Sequence, residues 1–348
     1  MTCSRFIKLM SVLCLVMFLG SLSDADAARK PRPKFALKFA TLAPEGSAWM
    51  NAMHEIDDAV RARTENRVGF KFYPGGVQGD EKEVLRKIRN GQLHGGGFSG
   101  FGVGAVASEM RVLELPFLFK SHAELDHVRD AMAPEWDRVF TEGGYTNLGW
   151  VDVGFIHIFS KQAIATPEDL QAARMWVWAG DPLAELFFSA FDLSPIPLAA
   201  PDVLTSLQTG VIDAAYNSTL GCVALQWFTR VSYMTDVPIT HGLGAALLSD
   251  KALRKISPED LAVIQEVAGP LLRALTEQTR QDNRDALGEM QKEGLEVISV
   301  SDAVRDQFFT TGQGAWQDGV GKLYSQENLD RVKSLLQTYR ADNPPAGH

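Results

Sequence analysis

Short apolar runs of strand length recur along this chain, and most are followed by a stretch with helical periodicity. Phe35 to Thr41 reads as a strand, and Ser47 is placed to cap a helix reaching about Arg63, with Trp49, Met53, Ile56 and Val60 on one stripe. Val68 to Tyr73 repeats the strand pattern, closed by Pro74-Gly75-Gly76, and a helix from about Asp80 to Asn90 stops at Gly91. The alternation continues through Leu93 to Phe98, the helical stretch His122 to Glu142, and strands at Thr146 to Val151 and Phe155 to Phe159. Such an order predicts an α/β fold with a mainly parallel sheet. Further on, Ser257 to about Gly294 is the longest helical block, with Gly269-Pro270 as an expected kink. Arg340 to His348 reads as a frayed tail.

The N-terminus sets the expected compartment. Arg5 and Lys8 precede the apolar run Leu9 to Leu22, which is short for a membrane span, and Ala25-Asp26-Ala27 supplies a small-x-small cleavage pattern. Residues 1–27 therefore read as a secretory signal peptide, with an uncleaved membrane anchor as the alternative. Removing them also removes Arg5, Lys8, Asp24 and Asp26, so the formal charge stays at −9, and Cys222 is left as the single thiol. An exported chain without a disulfide must rely on a large core. The acidic balance and the absence of Lys/Arg blocks argue against nucleic acid or anionic membrane as partner.

Catalytic patterns are weak. Gly97-Phe98-Ser99-Gly100-Phe101 misses the last glycine of a nucleophile elbow. Gly102-Val103-Gly104-Ala105-Val106-Ala107 fits a loose dinucleotide pattern, but an exported protein meets little nicotinamide cofactor. Those glycines are better explained by backbone that approaches a ligand or a neighbouring helix closely. The seven His residues show no i, i+4 pair and there is one mature Cys, so spacing offers no metal constellation, and no cofactor is expected. Cys222, without a partnered base, reads as an inert buried thiol.

One strand raises a binding question. In Arg174-Met175-Trp176-Val177-Trp178 the two indoles fall on one strand face, as a core layer or as a platform for a ligand.

From Phe39 onward the order of motifs resembles the extracytoplasmic solute-binding subunits of tripartite ATP-independent periplasmic (TRAP) transporters, the DctP-like family. The resemblance rests on Phe72-Tyr73-Pro74-Gly75-Gly76-Val77-Gln78-Gly79, Glu114-Leu115-Pro116-Phe117-Leu118-Phe119, Thr166-Pro167-Glu168-Asp169-Leu170, and Leu207 to Asn217. It implies a two-lobe periplasmic-binding-protein fold with a ligand cleft at the hinge and a long helix bridging both lobes. It implies closure around a small molecule, and delivery to the small and large membrane subunits of an ion-gradient-driven permease. No bond chemistry is required. Expected boundaries are 28–154 with about 243–283 for the first lobe, and 155–242 with about 284–340 for the second.

Family members usually place an Arg in the strand after Pro-Glu-Asp-Leu, clamping a carboxylate; here Trp176 stands at that position. Arg174 matches the family's non-binding Lys. A second basic residue is often found in the preceding segment, which reads Phe155-Ile156-His157-Ile158. An indole has one donor and no charge, so the expected ligand is apolar, aromatic or lipid-like rather than a simple dicarboxylate. Candidate contacts are Trp176, Trp178, Asn217, Tyr216, Trp49, Glu45, Phe98, Ser99, Phe155 and His157. For each, core or turn packing is the competing reading. The Trp-rich strand also resembles a subgroup that works beside a periplasmic TPR-repeat lipoprotein. Two other functions stand beside transport: a periplasmic sensor or carrier, and a secreted enzyme on a related scaffold.

Overall fold

The computed structural model describes residues 31–344, so the leader and the last four residues of the tail lie outside the described residues. Among the described residues no helix is long and apolar enough to cross a membrane. The first strands are β1 (Phe35–Ala40), β2 (Val68–Tyr73) and β3 (Gly95–Ser99). Strands β4 (Tyr145–Ser160) and β9 (Thr240–Ser249) are the longest, and β7 (Ala214–Asn217), β8 (Tyr233–Thr235) and β10 (Glu296–Ile298) are short. Together they form an eight-stranded sheet in the order β10-β8-β4-β9-β3-β1-β2, with β7 on β4. A separate parallel pair joins β5 (Trp176–Trp178) to β6 (Ile196–Leu198).

The sheet is mixed rather than mainly parallel. β1 pairs in parallel with β2 and β3, but β9 runs antiparallel to β3, and β4 runs antiparallel to β9, β7 and β8. The reason is that β4 and β9 both travel between lobes, in opposite directions. Residues Tyr145 to Ile156 of β4 pair with β9, and its end, His157 to Ser160, pairs with β7. The two apolar segments at 146–151 and 155–159 thus join into one strand. Its period-2 pattern is broken by a register shift between Asp152 and Gly154.

Four apolar cores follow from this plan. Leu37, Phe39, Ile264 and Leu272 belong to one on the β1 side of the sheet, Val112, Trp136 and Leu247 to another, and the second lobe buries Ile158, Met175 and Phe188 in one core and Phe159, Trp176 and Trp227 in the other. Helix α1 (Ala48–Arg63) starts at Ser47, whose hydroxyl accepts from Met50 N, and packs Met53, Ile56 and Val60 inward. The long helix, α2 (Pro258–Lys292), continues through Pro270 without interruption. Its Ile264 and Leu272 lie in the first lobe's core and its Met290 in the second's, so it does bridge both. Between them, Asn283 accepts from Leu220 N (2.9 Å) and donates to Val153 O (3.0 Å), tying the helix to the strand crossing.

The C-terminal helix, α3 (Gln326–Asp342), departs from expectation. Its Leu329, Val332 and Leu336 pack with Leu125 and Val128 in a first-lobe core, so this segment does not follow the 284–340 assignment. Arg340 is anchored, not frayed, by Glu124 (2.7 and 2.8 Å) and Leu118 O.

Gly154 holds the crossing in a conformation that a side chain resists: its φ is +112°, and an added Cβ would meet Asn283 Nδ2 at 2.6 Å. Gly154→Ala is expected to lower stability by about 1–3 kcal/mol in urea unfolding. Gly288→Ala, in the open interior of α2, is expected to be neutral or stabilising by up to about 1 kcal/mol.

Candidate functional site

A cleft of about 590 Å³ opens between the lobes, lined from β3, α1, β5, β7 and the β4–β9 crossing. Its apolar surface comes from Trp49, Phe98, Phe101, Trp176, Trp178 and Phe187, among others. Trp176 is 1% exposed. It stacks on Tyr216 (4.7 Å between ring centroids), meets Trp227 edge-on and donates Nε1 to Leu198 O at 3.0 Å. The indole is therefore a core side chain that contributes one face to the cleft wall. Trp178 is more open. It packs on Phe101 (4.9 Å) and donates Nε1 to Asp80 Oδ2 at 2.8 Å, joining β5 to the cap of the helix Glu81–Arg89 across the cleft.

Most of the sequence candidates come together here: Glu45, Trp49, Phe98, Ser99, Trp176, Trp178, Tyr216 and Asn217 all line the cleft. Each also has a structural engagement. Asn217 Oδ1 accepts from Ser218 N (2.8 Å), Tyr216 accepts from Trp178 N (3.2 Å), and Glu45 pairs with His54 at the exposed rim. Trp49 packs against Gly97 so closely that a Cβ there would meet its ring at 2.3 Å, and its buried Nε1 has no hydrogen-bond partner.

Two candidates do not belong to the lining. Phe155 packs its ring against His122 and His241, and His157 spends Nδ1 on Thr235 O (3.1 Å). The alternation of β4 turns their neighbour Ile156 into the cleft instead. Arg174 pairs with Asp213 at 2.9 Å and is also outside it.

The sequence reading missed the buried charges. Arg111 is the single basic residue in the lining, against the carboxyl groups of Glu45, Glu81, Glu114, Asp152, Asp181 and Asp282. Its guanidinium meets Glu114 at 2.9 Å and, with the other terminal nitrogen, Asp181 at 2.9 and 3.0 Å. Burial works against the charge, but Asp181 and Glu114 more than offset it, so Arg111 is held firmly protonated. Glu114 Oε1 accepts from Leu243 N of β9, and Asp181 caps the helix Pro182–Ala190.

The glycine run packs on this cluster. A Cβ at Gly100 would lie 1.8 Å from Glu114, one at Gly102 2.4 Å from Glu81, and one at Gly104 2.4 Å from Arg111. The signal was the alternating glycines themselves; they mark close approach, to buried charges from neighbouring elements.

Glu81 accepts from Ser99 N (2.7 Å), Ser99 Oγ (3.0 Å) and Gly102 N (2.7 Å). Burial nevertheless pushes its carboxyl up from 4.5 to about 8, so it stands protonated at neutral pH.

Two long strands and one bridging helix thus cross a two-lobe fold, with an aromatic cleft at the crossing. Residues 39–322 match the model of the DctP family, described as bacterial extracellular solute-binding protein, family 7. The chain belongs to the DctP family. Among its relatives, the 2,3-diketo-L-gulonate-binding periplasmic protein of Escherichia coli is 24% identical over 279 residues, covering 74% of this chain and 82% of that one. Among solved structures, the sugar acid binding protein of Advenella mimigardefordensis, in complex with galactonate, aligns with a TM-score of 0.82 at 19% identity, covering 88% of this chain and 99% of that one. A TRAP periplasmic solute-binding protein of Xanthobacter autotrophicus with bound β-D-galacturonate aligns with a TM-score of 0.80 at 19% identity, covering 86% and 99%. Those relatives are described as binding sugar acids, so the comparisons do not support the apolar ligand expected from Trp176. In this chain the one Arg of the cleft lining is already engaged by two carboxylates.

Glu81 gives a pH signature to test. The folded state keeps a proton that the unfolded chain releases above its ordinary value, so stability falls as pH rises between about 4.5 and 8. Thermal unfolding should show that decline in the wild type, with a slope of up to about 1.4 kcal/mol per pH unit. In Glu81→Gln the slope should be reduced.

Proposed function

We propose that this protein is the solute-binding subunit of a TRAP transporter, capturing a small uncharged and largely apolar molecule by lobe closure outside the cytoplasm. In this reading residues 1–27 direct export, and the closed form presents the ligand to the small and large permease subunits. The closing units are 34–154 with 243–283 and 326–342 on one side, and 155–242 with the adjoining residues up to about 318 on the other.

The observation that carries the ligand class is that Arg111, the single basic residue of the lining, is already matched by both Glu114 and Asp181 and leaves no free positive charge for a ligand carboxylate. A ligand carboxylate about 5 Å from one uncompensated carboxylate meets a repulsion of about 3 kcal/mol at an effective dielectric near 20. That is roughly a hundredfold in affinity. It would also forgo a charge-assisted fork worth about 1.5–3 kcal/mol per hydrogen bond. An apolar body between the rings of Trp49, Phe98, Trp178 and Phe187 meets no such penalty.

The sugar acids bound by structural relatives favour a second reading, in which Arg111 releases Asp181 to fork a ligand carboxylate. A titration separates the two. D-galacturonate, D-galactonate and succinate at millimolar concentration should leave the melting temperature unchanged, while members of a panel of neutral aromatic and medium-chain aliphatic compounds raise it. Trp178→Ala should weaken the best of these by about tenfold or more. Micromolar binding of a sugar acid would sink the apolar reading while leaving the transport role intact. Capture of the permease subunits, rather than of a sensor or a TPR-repeat lipoprotein alone, checks that role.

A further inference from the structure

The strand crossing brings together three residues that neither the fold's closure nor the cleft's apolar surface uses. His122 comes from the start of the helix His122–Ala131, Asp152 from β4 and His241 from β9. They are 30 and 89 positions apart, so no local spacing betrays them. His122 Nδ1 and His241 Nε2 are 3.1 Å apart, and Asp152 Oδ2 lies 3.6 Å from the first and 3.7 Å from the second. We propose that these three side chains form a binding site for a divalent transition-metal ion, zinc foremost, at the hinge of the two lobes.

The distances fit. A tetrahedral ion with bonds of ~2.0–2.1 Å holds its ligand atoms ~3.3 Å apart, and the three separations bracket that value. Two imidazoles and a carboxylate are also the donor set that borderline metals prefer over calcium or magnesium. Asp152 and His241 are 2% and 1% exposed, whereas His122 is half-buried and leaves a path inward. Asp152 Oδ1 and His241 Nδ1 are both buried without a partner, so the cluster is not a completed hydrogen-bond network.

The surroundings tolerate a cation. Arg280 donates Nε to Asp152 Oδ2 and its terminal nitrogens to Asp126, and Arg129 faces Asp152 Oδ1 at 3.9 Å. Asp126, Asp152 and Glu277 face Arg129, Arg280 and Arg284, so the carboxylates around the site match the arginines in number. A ligating carboxylate commonly receives an outer hydrogen bond of the kind that Arg280 supplies. Metal binding here would join a helix and both crossing strands, and would displace the proton shared between His122 and His241.

The test uses untagged, chelator-treated protein titrated with Zn²⁺ by calorimetry and with Co²⁺ by visible absorption. Stoichiometric Zn²⁺ binding, Co²⁺ d–d bands of tetrahedral intensity, and a melting temperature raised by Zn²⁺ but not by Mg²⁺ are expected. His122→Ala, at a half-exposed helix start, should fold normally and bind Zn²⁺ at least about tenfold more weakly. Asp152→Asn should also weaken Zn²⁺ binding, at a cost in stability because it removes the buried carboxylate that Arg280 pairs with. Absence of stoichiometric binding to the wild type overturns the proposal, as does unchanged binding in a folded His122→Ala.

Discussion

Arg111 holds a full positive charge where little water reaches, and its two carboxylate partners come from different parts of the fold. Glu114 sits three residues on and is itself bonded to the β9 backbone, whereas Asp181 caps a helix that buries Phe187 and Phe188 with the second lobe. Removing one member of such a group strands a buried charge and costs about 3–5 kcal/mol. The ion pair thus spans the cleft wall, and Trp178 on Asp80 spans it a second time. The glycines at 100, 102 and 104 are the geometric condition for this, because any side chain there would occupy the space of Glu114, Glu81 or Arg111.

The same cluster decides what the cleft can accept. An arginine already shared by two carboxylates has little left for a ligand, and an unpaired carboxylate brought alongside would find no free positive charge in the lining. Around it, stacked rings and aliphatic side chains present area without charge. In the proposed reading, closure would draw on contacts that both lobes make with an apolar body, which is how a ligand with differential affinity shifts an open–closed equilibrium. The β4–β9 crossing and Asn283 on the bridging helix supply the place where that motion pivots.

Much of the fold was legible because its signals are local. Ser47 caps the first helix, Thr166 forms a capping box with Asp169, and Gly210 ends a helix in the left-handed conformation, each as its residue type suggests. The long helix was visible from its length, and its bridging role was what the family resemblance implied. What escaped was non-local. The antiparallel run of β4 and β9 depends on pairing of residues about 100 positions apart, and Phe155 and His157 left the cleft because the β4 alternation turns Ile156 inward. Arg111 looked like one arginine among many, since its partner Asp181 lies 70 residues away. Trp176 was read correctly as large and apolar, but its 1% exposure makes it core first and cleft wall second.

The central claim is that Arg111 stays with its own carboxylates while an uncharged ligand fills the aromatic cleft. A crystal structure of the protein with the molecule it carries through purification, identified in parallel by mass spectrometry, tests this most directly. The account predicts a neutral, largely apolar molecule against Trp49, Trp178 and Phe187, with the Arg111–Asp181 and Arg111–Glu114 contacts intact. A carboxylate forked on Arg111, with Asp181 displaced, would contradict it.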